Sequence, residues 1–508
     1  MPEFYLIEGD CRETMGLLPE NSFDAVVTDP PYELNYMGRG WDRRGVAFEQ
    51  ETWERALRVL KPGAHGLVFG GARTHHRLMC TLEDAEFEIR DVLMWMYGSG
   101  FPKGMNISKA IDRELGAERE VIEQVRVKGG GMEHVNRVNA ARYSYRPDGY
   151  QKGENVLDVT MPTTEAAKQF DGWNSSLKSA FEPIILVRKP ISEGNIAKNV
   201  LKWGTGGINV GATRIGYQSD ADRESVTPQG IPTSKAFNIA SKPDVGNAEE
   251  RVGFVRPELS GRWPANILFE HGEGCRVVSR RQVPSSASGE SLPSPTHNRR
   301  MDSKLTQGTT RYGDEEGMEE VEDWECEEGC PVKLLDEQSG ESASAKRQTK
   351  GSLSNPNEQY QGHFSGQAEV SIGYSDKGGA SRFFYCGKAS PKERDLGCES
   401  LYWRREGSSH APISLEEWDS LPPNQRAQGA VHPTIKPIHL MRYLIRLITP
   451  PNGIVLDPFI GSGSTAIAAW LEGFSCVGME NDQSSVLIAN ARWEAREEIG
   501  KLVEKRKR

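Results

Sequence analysis

Apolar residues gather in short runs near both ends of this chain and thin out through its middle. Phe4-Tyr5-Leu6-Ile7, Ala25-Val26-Val27-Thr28, Gly66-Leu67-Val68-Phe69, Asp91 to Met96 and Pro183 to Val187 make up the first group. Ile454-Val455-Leu456-Asp457 and Cys476-Val477-Gly478-Met479 make up the second. Runs of this length without alternation read as strands buried on both faces. Helical spacing lies between them. Residues 12–20 predict a short helix, and Glu51 to Leu60 a longer one stopped by Pro62-Gly63. Ile438, Met441, Leu444, Ile445 and Ile448 form a helical stripe, and a helix through Ala466, Ala469 and Trp470 stops at Gly473. Strands alternating with helices predict an α/β fold, a mostly parallel doubly wound sheet with helices on both faces. Residues 191–380 are rich in Gly, Ser, Asn and charge, and much of 285–320 and 340–380 has a composition that does not build its own core.

The second strand runs into Asp29-Pro30-Pro31-Tyr32. Two prolines cannot continue a ladder, so an acid, a stiff carbonyl and an aromatic ring are held at the carboxyl edge of the sheet. Ligands of open α/β sheets bind at that edge. The set suits the exocyclic amine of a flipped nucleobase: Asp29 and the Pro30 carbonyl accept its two hydrogens, and Tyr32 stacks on the ring. A strand-ending turn with an ordinary cap is the rival reading.

Near the other end, Asp457 is followed by Pro458-Phe459-Ile460-Gly461-Ser462-Gly463-Ser464, a helix, and a strand closing on Glu480. This strand, glycine turn, helix, strand and acid form the plan of a dinucleotide or nucleoside-cofactor site, with Glu480 placed for ribose hydroxyls. Ala466 stands at the third glycine position, which the looser dinucleotide pattern accepts. No Gly-Lys-Ser/Thr occurs, which argues against a phosphate-cradling loop. A cofactor without phosphates, S-adenosylmethionine, suits the turn equally well.

The Asp-Pro-Pro-Tyr segment followed much later by Phe459, Gly461 and Gly463 resembles the amino-group (N6-adenine and N4-cytosine) DNA methyltransferases in the motif order of their β class. His432-Pro433-Thr434-Ile435-Lys436-Pro437 is similar to the family segment that precedes the cofactor strand. Trp95 to Lys103, Phe181 to Pro190, Gly261 to Asn266 and Phe383 to Ser390 resemble phage and prophage members. The resemblance implies an S-adenosylmethionine-dependent fold in three parts. Residues 1–190 would be the catalytic half, with a polar insertion at about 115–170; 191–380 the DNA target-recognition domain; and 381–508 the cofactor-binding half. It implies catalysis by Asp29, Pro30, Pro31 and Tyr32, and cofactor contacts from Asp10, Thr434, Lys436, Asp457, Phe459, Gly461, Gly463 and Glu480. For Asp10, capping the helix at 12–20 is an even alternative. Adenine N6 is the expected target, because N4-cytosine members usually carry Ser where Asp29 stands. A catalytically inactive DNA-binding relative is a more distant reading. The family also implies double-stranded DNA as partner and a role in restriction-modification, beside a restriction endonuclease or without one.

Composition adjusts this picture. A chain of 508 residues is long enough for two or more domains. It has no apolar stretch of membrane-spanning length and no signal-peptide pattern at its start, so no membrane partner is expected. Eight scattered cysteines fit reduced thiols in a cytoplasm. Pro-Cys is missing, which disfavours carbon-5 cytosine chemistry by a cysteine nucleophile. The net charge of −10 argues mildly against nucleic acid, but local patches decide binding, and Arg39, Arg43 and Arg44 flank the proposed base pocket as phosphate contacts. Finally, His271-x₃-Cys275 and Cys326-x₃-Cys330 form two ligand-type pairs within 191–380, a His-Cys₃ set suited to structural zinc. Four unrelated reduced side chains are the rival reading.

Overall fold

The computed structural model describes residues 2–34, 45–97, 104–126, 156–177, 179–215, 262–272, 274–284, 318–328, 330–339, 393, 395–406, 409–430 and 435–504, with short strands between 342 and 387. Arg39, Arg43, Arg44, Thr434 and most of 285–320 and 340–380 lie outside the described residues. The described chain divides into two compact units, Met96–Glu182 and the remainder.

The larger unit is built on nine strands: β1 (Phe4–Glu8), β2 (Phe23–Thr28), β3 (Leu60–Phe69), β4 (Glu88–Met96), β5 (Phe181–Arg188), β6 (Ile267–Glu270), β7 (Tyr385–Gly387), β8 (Ile454–Asp457) and β9 (Ser475–Glu480). Their order across the sheet is β1-β9-β8-β2-β3-β5-β4-β6-β7. The five strands from β1 to β3 are mutually parallel, and β5 runs antiparallel to β3. β8 therefore lies beside β2, with Val455 opposite Ala25 and Leu456 opposite Val26. The sheet's centre joins segments more than 400 residues apart in sequence.

Helices α1 (Cys11–Leu17), α2 (Gln50–Val59) and α3 (His75–Asp84) cover one face. There Met15, Trp53, Ala56, Val59, Leu78 and Leu82 pack with Val26, Val68, Ile185, Val187, Leu456 and Met479 in one apolar cluster. Each large side chain buried there contributes roughly 1.5–3 kcal/mol. The alternate strand residues Ala25, Val27, Leu67 and Val455 are also fully buried and point to the opposite face. Gly66 cannot carry a side chain, because a Cβ would stand 2.6 Å from Val26 and 2.8 Å from Val187. Helix α4 (Pro331–Ser339) comes from the middle of the chain. It is followed by α5 (Ile438–Ile448), α6 (Ser464–Leu471) and α7 (Gln483–Glu494).

All seven strands expected from the apolar runs are present. Strands β6 and β7 extend the sheet beyond them from within and just after residues 191–380, the segment set apart for target recognition, and at four and three residues both are too short to show a period. A small sheet of Tyr402–Glu406, Ser409–Ile413 and Arg426–Gln428 was also unforeseen; its Trp403 is fully buried against Ile488 of α7. The smaller unit holds an antiparallel hairpin, Val121–Arg126 with Val156–Thr160. Within it, buried Asp112 accepts from Arg119 at 2.7 Å and from the Thr164 hydroxyl at 2.7 Å.

Candidate active site

Asp29 directly follows β2, and Pro30 behind it is buried. An aspartate in such a turn usually accepts the backbone N–H two residues on. That residue is Pro31, which has none. The carboxylate is met instead from across the chain: Lys436 Nζ donates to Asp29 Oδ2 at 2.6 Å. The same ammonium lies 3.3 Å from the Tyr32 hydroxyl, 5.5 Å from the centre of the Tyr32 ring and 4.9 Å from that of Phe69. The Lys436 side chain is 8% exposed and that of Asp29 19%, so this pair is shielded but open on one side. The Thr74 hydroxyl donates to the Tyr32 carbonyl at 2.9 Å and ties the loop to the start of α3. Lys436 was expected to touch the cofactor loop; in the structure its ammonium is paired with Asp29. Its position just before α5 explains the change, since a helix starting at Ile438 carries the residues before it to the end of β2.

The glycine turn after β8 is closed in a different way. Asp457 is 2% exposed. Its Oδ1 accepts from the Thr28 hydroxyl at 2.6 Å and from the Phe459 N–H at 3.0 Å, and its Oδ2 accepts from the Thr465 hydroxyl at 2.6 Å. Burial pushes its carboxyl up to about 6. Asp457 therefore braces β2, the turn and α6 together, where the sequence reading had placed it among the cofactor contacts. Gly463, at φ +78°, would place a Cβ 3.3 Å from the Ala489 backbone of α7, so its bareness serves helix packing. Arg492, completely buried, donates to the Ser462 carbonyl at 2.7 Å and to the hydroxyls of Ser462 and Ser464 at 3.1 and 3.0 Å. Nothing in the sequence pattern marked it. Phe459 packs on Trp53 with ring centres 6.4 Å apart.

Glu480 ends β9. Its Oε2 accepts from the Gly461 N–H at 3.1 Å, and its Oε1 from the N–H groups of Asn481 and Asp482 at 2.9 and 2.8 Å. Burial pushes this carboxyl up to about 7. Gly461 can turn its N–H toward Glu480 because it sits at φ +52°. Asp10 caps α1 through the Arg12 N–H and pairs with the Arg12 guanidinium at 2.6 Å, the alternative weighed for it. Trp263 is 69% exposed beside Arg214. No helix among the described residues is long and apolar enough to cross a membrane.

A family model, N6_N4_Mtase, described as a DNA methylase, matches residues 23–190 and 331–491. YubD of Escherichia coli (strain K12), named as a methylase, is 53% identical over 49 residues, 10% of this chain and 22% of YubD. The type II methyltransferase M2.DpnII of Streptococcus pneumoniae is 37% identical over 67 residues, 13% of this chain and 25% of that protein. The aligned stretches thus span a quarter or less of these relatives. Among solved structures, the PvuII DNA methyltransferase, described as cytosine-N4-specific, aligns over 99% of this chain and 94% of its own, at 10% identity and a TM-score of 0.34. The M1.HpyAVI–SAM complex aligns over 96% and 98%, at 12% identity and a TM-score of 0.31. Overlaps at those scores are loose, and the fold stands on the strand order above.

Proposed function

The chain belongs to the N6_N4_Mtase family of DNA methylases, and on that premise we propose that it moves the methyl group of S-adenosylmethionine to the N6 amine of an adenine flipped out of double-stranded DNA. The observation that carries this reading is the Lys436 ammonium set on Asp29 Oδ2 at the end of β2, beside the glycine turn of β8.

An aromatic amine is a poor nucleophile because its lone pair is delocalised into the ring. Asp29 and the Pro30 carbonyl each accept one amine hydrogen, which favours a more tetrahedral nitrogen with its lone pair directed at the electrophile. Tyr32 stacks on the base. Lys436 keeps the carboxylate aimed while no base is bound. The nitrogen–carbon bond forms as the sulfur–carbon bond breaks. The nitrogen turns acidic as it alkylates, and its proton leaves through Asp29.

The residues fit the cofactor. Glu480 is pinned by three N–H groups as an acceptor for a vicinal diol, and Gly461 keeps the backbone beside it bare. Two strand spacings, about 10 Å, separate the ends of β9 and β2, which leaves room for one nucleoside. When bound, the cofactor supplies an electrophilic methyl on sulfonium. Gly461, Gly463, Phe459 and Glu480 would shape its place, and Thr434 and Asp10 are further cofactor contacts that the family resemblance implies. Arg39, Arg43 and Arg44 contact phosphates.

Asp29 favours adenine over cytosine N4 as the target, because the N4 enzymes of this family usually carry Ser there. Mass spectrometry of nucleosides from DNA treated with the enzyme tests both levels. N6-methyldeoxyadenosine is expected. N4-methyldeoxycytidine would replace the base assignment, and neither product, with cofactor bound, would overturn the enzymatic reading.

A further inference from the structure

The family model leaves residues 191–330 unmatched. Inside that stretch, four side chains with no place in the proposed methyl transfer converge. His271, Cys275, Cys326 and Cys330 each offer one ligand atom, and these atoms all lie within 4.8 Å of one another. His271 Nδ1 stands 3.3 Å from Cys326 Sγ and 3.7 Å from Cys330 Sγ. A tetrahedral zinc with Zn–S of about 2.3 Å and Zn–N of about 2.0 Å requires S···N edges of about 3.5 Å and S···S edges of about 3.8 Å. The two distances from His271 Nδ1 bracket that S···N edge, and every other pair of ligand atoms lies within 4.8 Å. His271, Cys275 and Cys330 are 5%, 5% and 1% exposed.

The local chain explains the convergence. In each pair an i to i+3 turn aims both side chains the same way: the Cys275 N–H donates to the Gly272 carbonyl, and the Cys330 N–H to the Glu327 carbonyl. The backbone N–H of Glu327 points at Cys275, and those of Lys333 and Gly272 at Cys330. The His271 ring is held in stack with Trp324, centres 4.3 Å apart and planes 15° from parallel. Four element ends meet here. His271 follows β6, Cys275 precedes the strand Arg276–Pro284, Cys326 follows its partner strand Met318–Glu325, and Cys330 precedes α4.

We propose that His271, Cys275, Cys326 and Cys330 bind one zinc ion that staples the Arg276–Pro284/Met318–Glu325 hairpin and α4 to the edge of the central sheet at β6. All four positions are protein ligands, so the ion has no open site and its role is structural. Three cysteines and one histidine also leave an odd thiol under any disulfide scheme. A hairpin with few apolar residues gains most from such a clip.

Elemental analysis of the full-length protein, purified without chelator, should give about one zinc per chain. The Cys326→Ser, Cys330→Ser double variant should fall below about a tenth of that. Should the variant not fold, the wild type is sufficient. Three of its thiols should resist a thiol reagent until zinc is released, and cobalt reconstitution should give the absorption bands of tetrahedral thiolate coordination. Zinc below about a tenth per chain with all thiols reactive would overturn the proposal. So would a disulfide among these cysteines, or iron in place of zinc.

Discussion

Two aspartates end neighbouring parallel strands at the centre of this sheet, yet they are put to opposite uses. Asp29 follows β2, stays 19% exposed and is paired with the Lys436 ammonium. Asp457 ends β8 and is sealed by two hydroxyls and one backbone N–H. The residues that follow each one decide the outcome. Two residues after Asp457 comes Phe459, whose N–H folds back onto the carboxylate. Two residues after Asp29 comes Pro31, with nothing to donate. A carboxylate at a strand end becomes a tool or a brace according to whether its own chain can saturate it.

The strongest challenge to this contrast is removal of each acid. Asp29→Ala should lower methyl transfer on the order of 10³-fold or more, since it takes away the acceptor that prepares the amine. Cofactor affinity by calorimetry and the melting temperature should barely change. Wild-type turnover in that variant would place the chemistry elsewhere. Asp457→Ala should do the reverse. It strands the buried hydroxyls of Thr28 and Thr465, at about 1–3 kcal/mol each. Denaturant unfolding should report a loss of about 2–4 kcal/mol, while the protein that stays folded keeps turnover within tenfold. A stable but inactive Asp457→Ala would return that residue to the ligand-contacting set.

Glu480 stands between the two cases, pinned by N–H groups but facing the cofactor region. Its folded carboxyl is raised by burial to about 7. Its contribution to stability is therefore full below its unfolded value near 4.5 and is lost as pH rises through 7. Cofactor binding runs the other way, because two ribose hydroxyls need an ionised acceptor. Affinity should be roughly tenfold weaker at pH 6 than at pH 8, and Glu480→Gln should flatten that slope in titrations across the range. A wild-type affinity indifferent to pH would remove Glu480 from the cofactor contacts.

The subtlest variant restores what proline withholds. Pro31→Ala supplies an N–H two residues after Asp29. One new hydrogen bond of about 1 kcal/mol should compete with the substrate amine and lower kcat/KM about fivefold with stability unchanged. No change in kcat/KM would mean that proline serves only loop shape.

The parts of the molecule readable from sequence are those whose cause is local. Apolar runs placed the central strands. Each x₃ pair announced itself as two possible ligands, because a turn can bring four consecutive residues round to one side. Asp29-Pro30-Pro31-Tyr32 carries its proposed chemistry within four positions. What escaped depends on partners far along the chain. Lys436 reads as a residue of the cofactor segment until α5 carries it to Asp29, 407 positions away. Arg492 is one more arginine on a helix until the turn of Ser462 and Ser464 closes over it. Strand β7 has three residues, too few for a pattern, and pairs only because β6 is there to receive it.

The adjacency of β2 and β8 sets a schedule for the protein's birth. Strand β2 leaves the ribosome early and finds β3 soon after, but its other edge waits for a strand made some 400 residues later. At roughly 5–20 residues per second, that edge stays unpaired for about 20–80 s during translation. Val26 and Leu456 meet, and Lys436 reaches Asp29, only when residues 436–456 have emerged. A nascent or truncated chain lacking its last hundred residues would expose a central strand edge of Ala-Val-Val-Thr, a template for aggregation. The residues of the proposed site therefore come together only after both segments have been made.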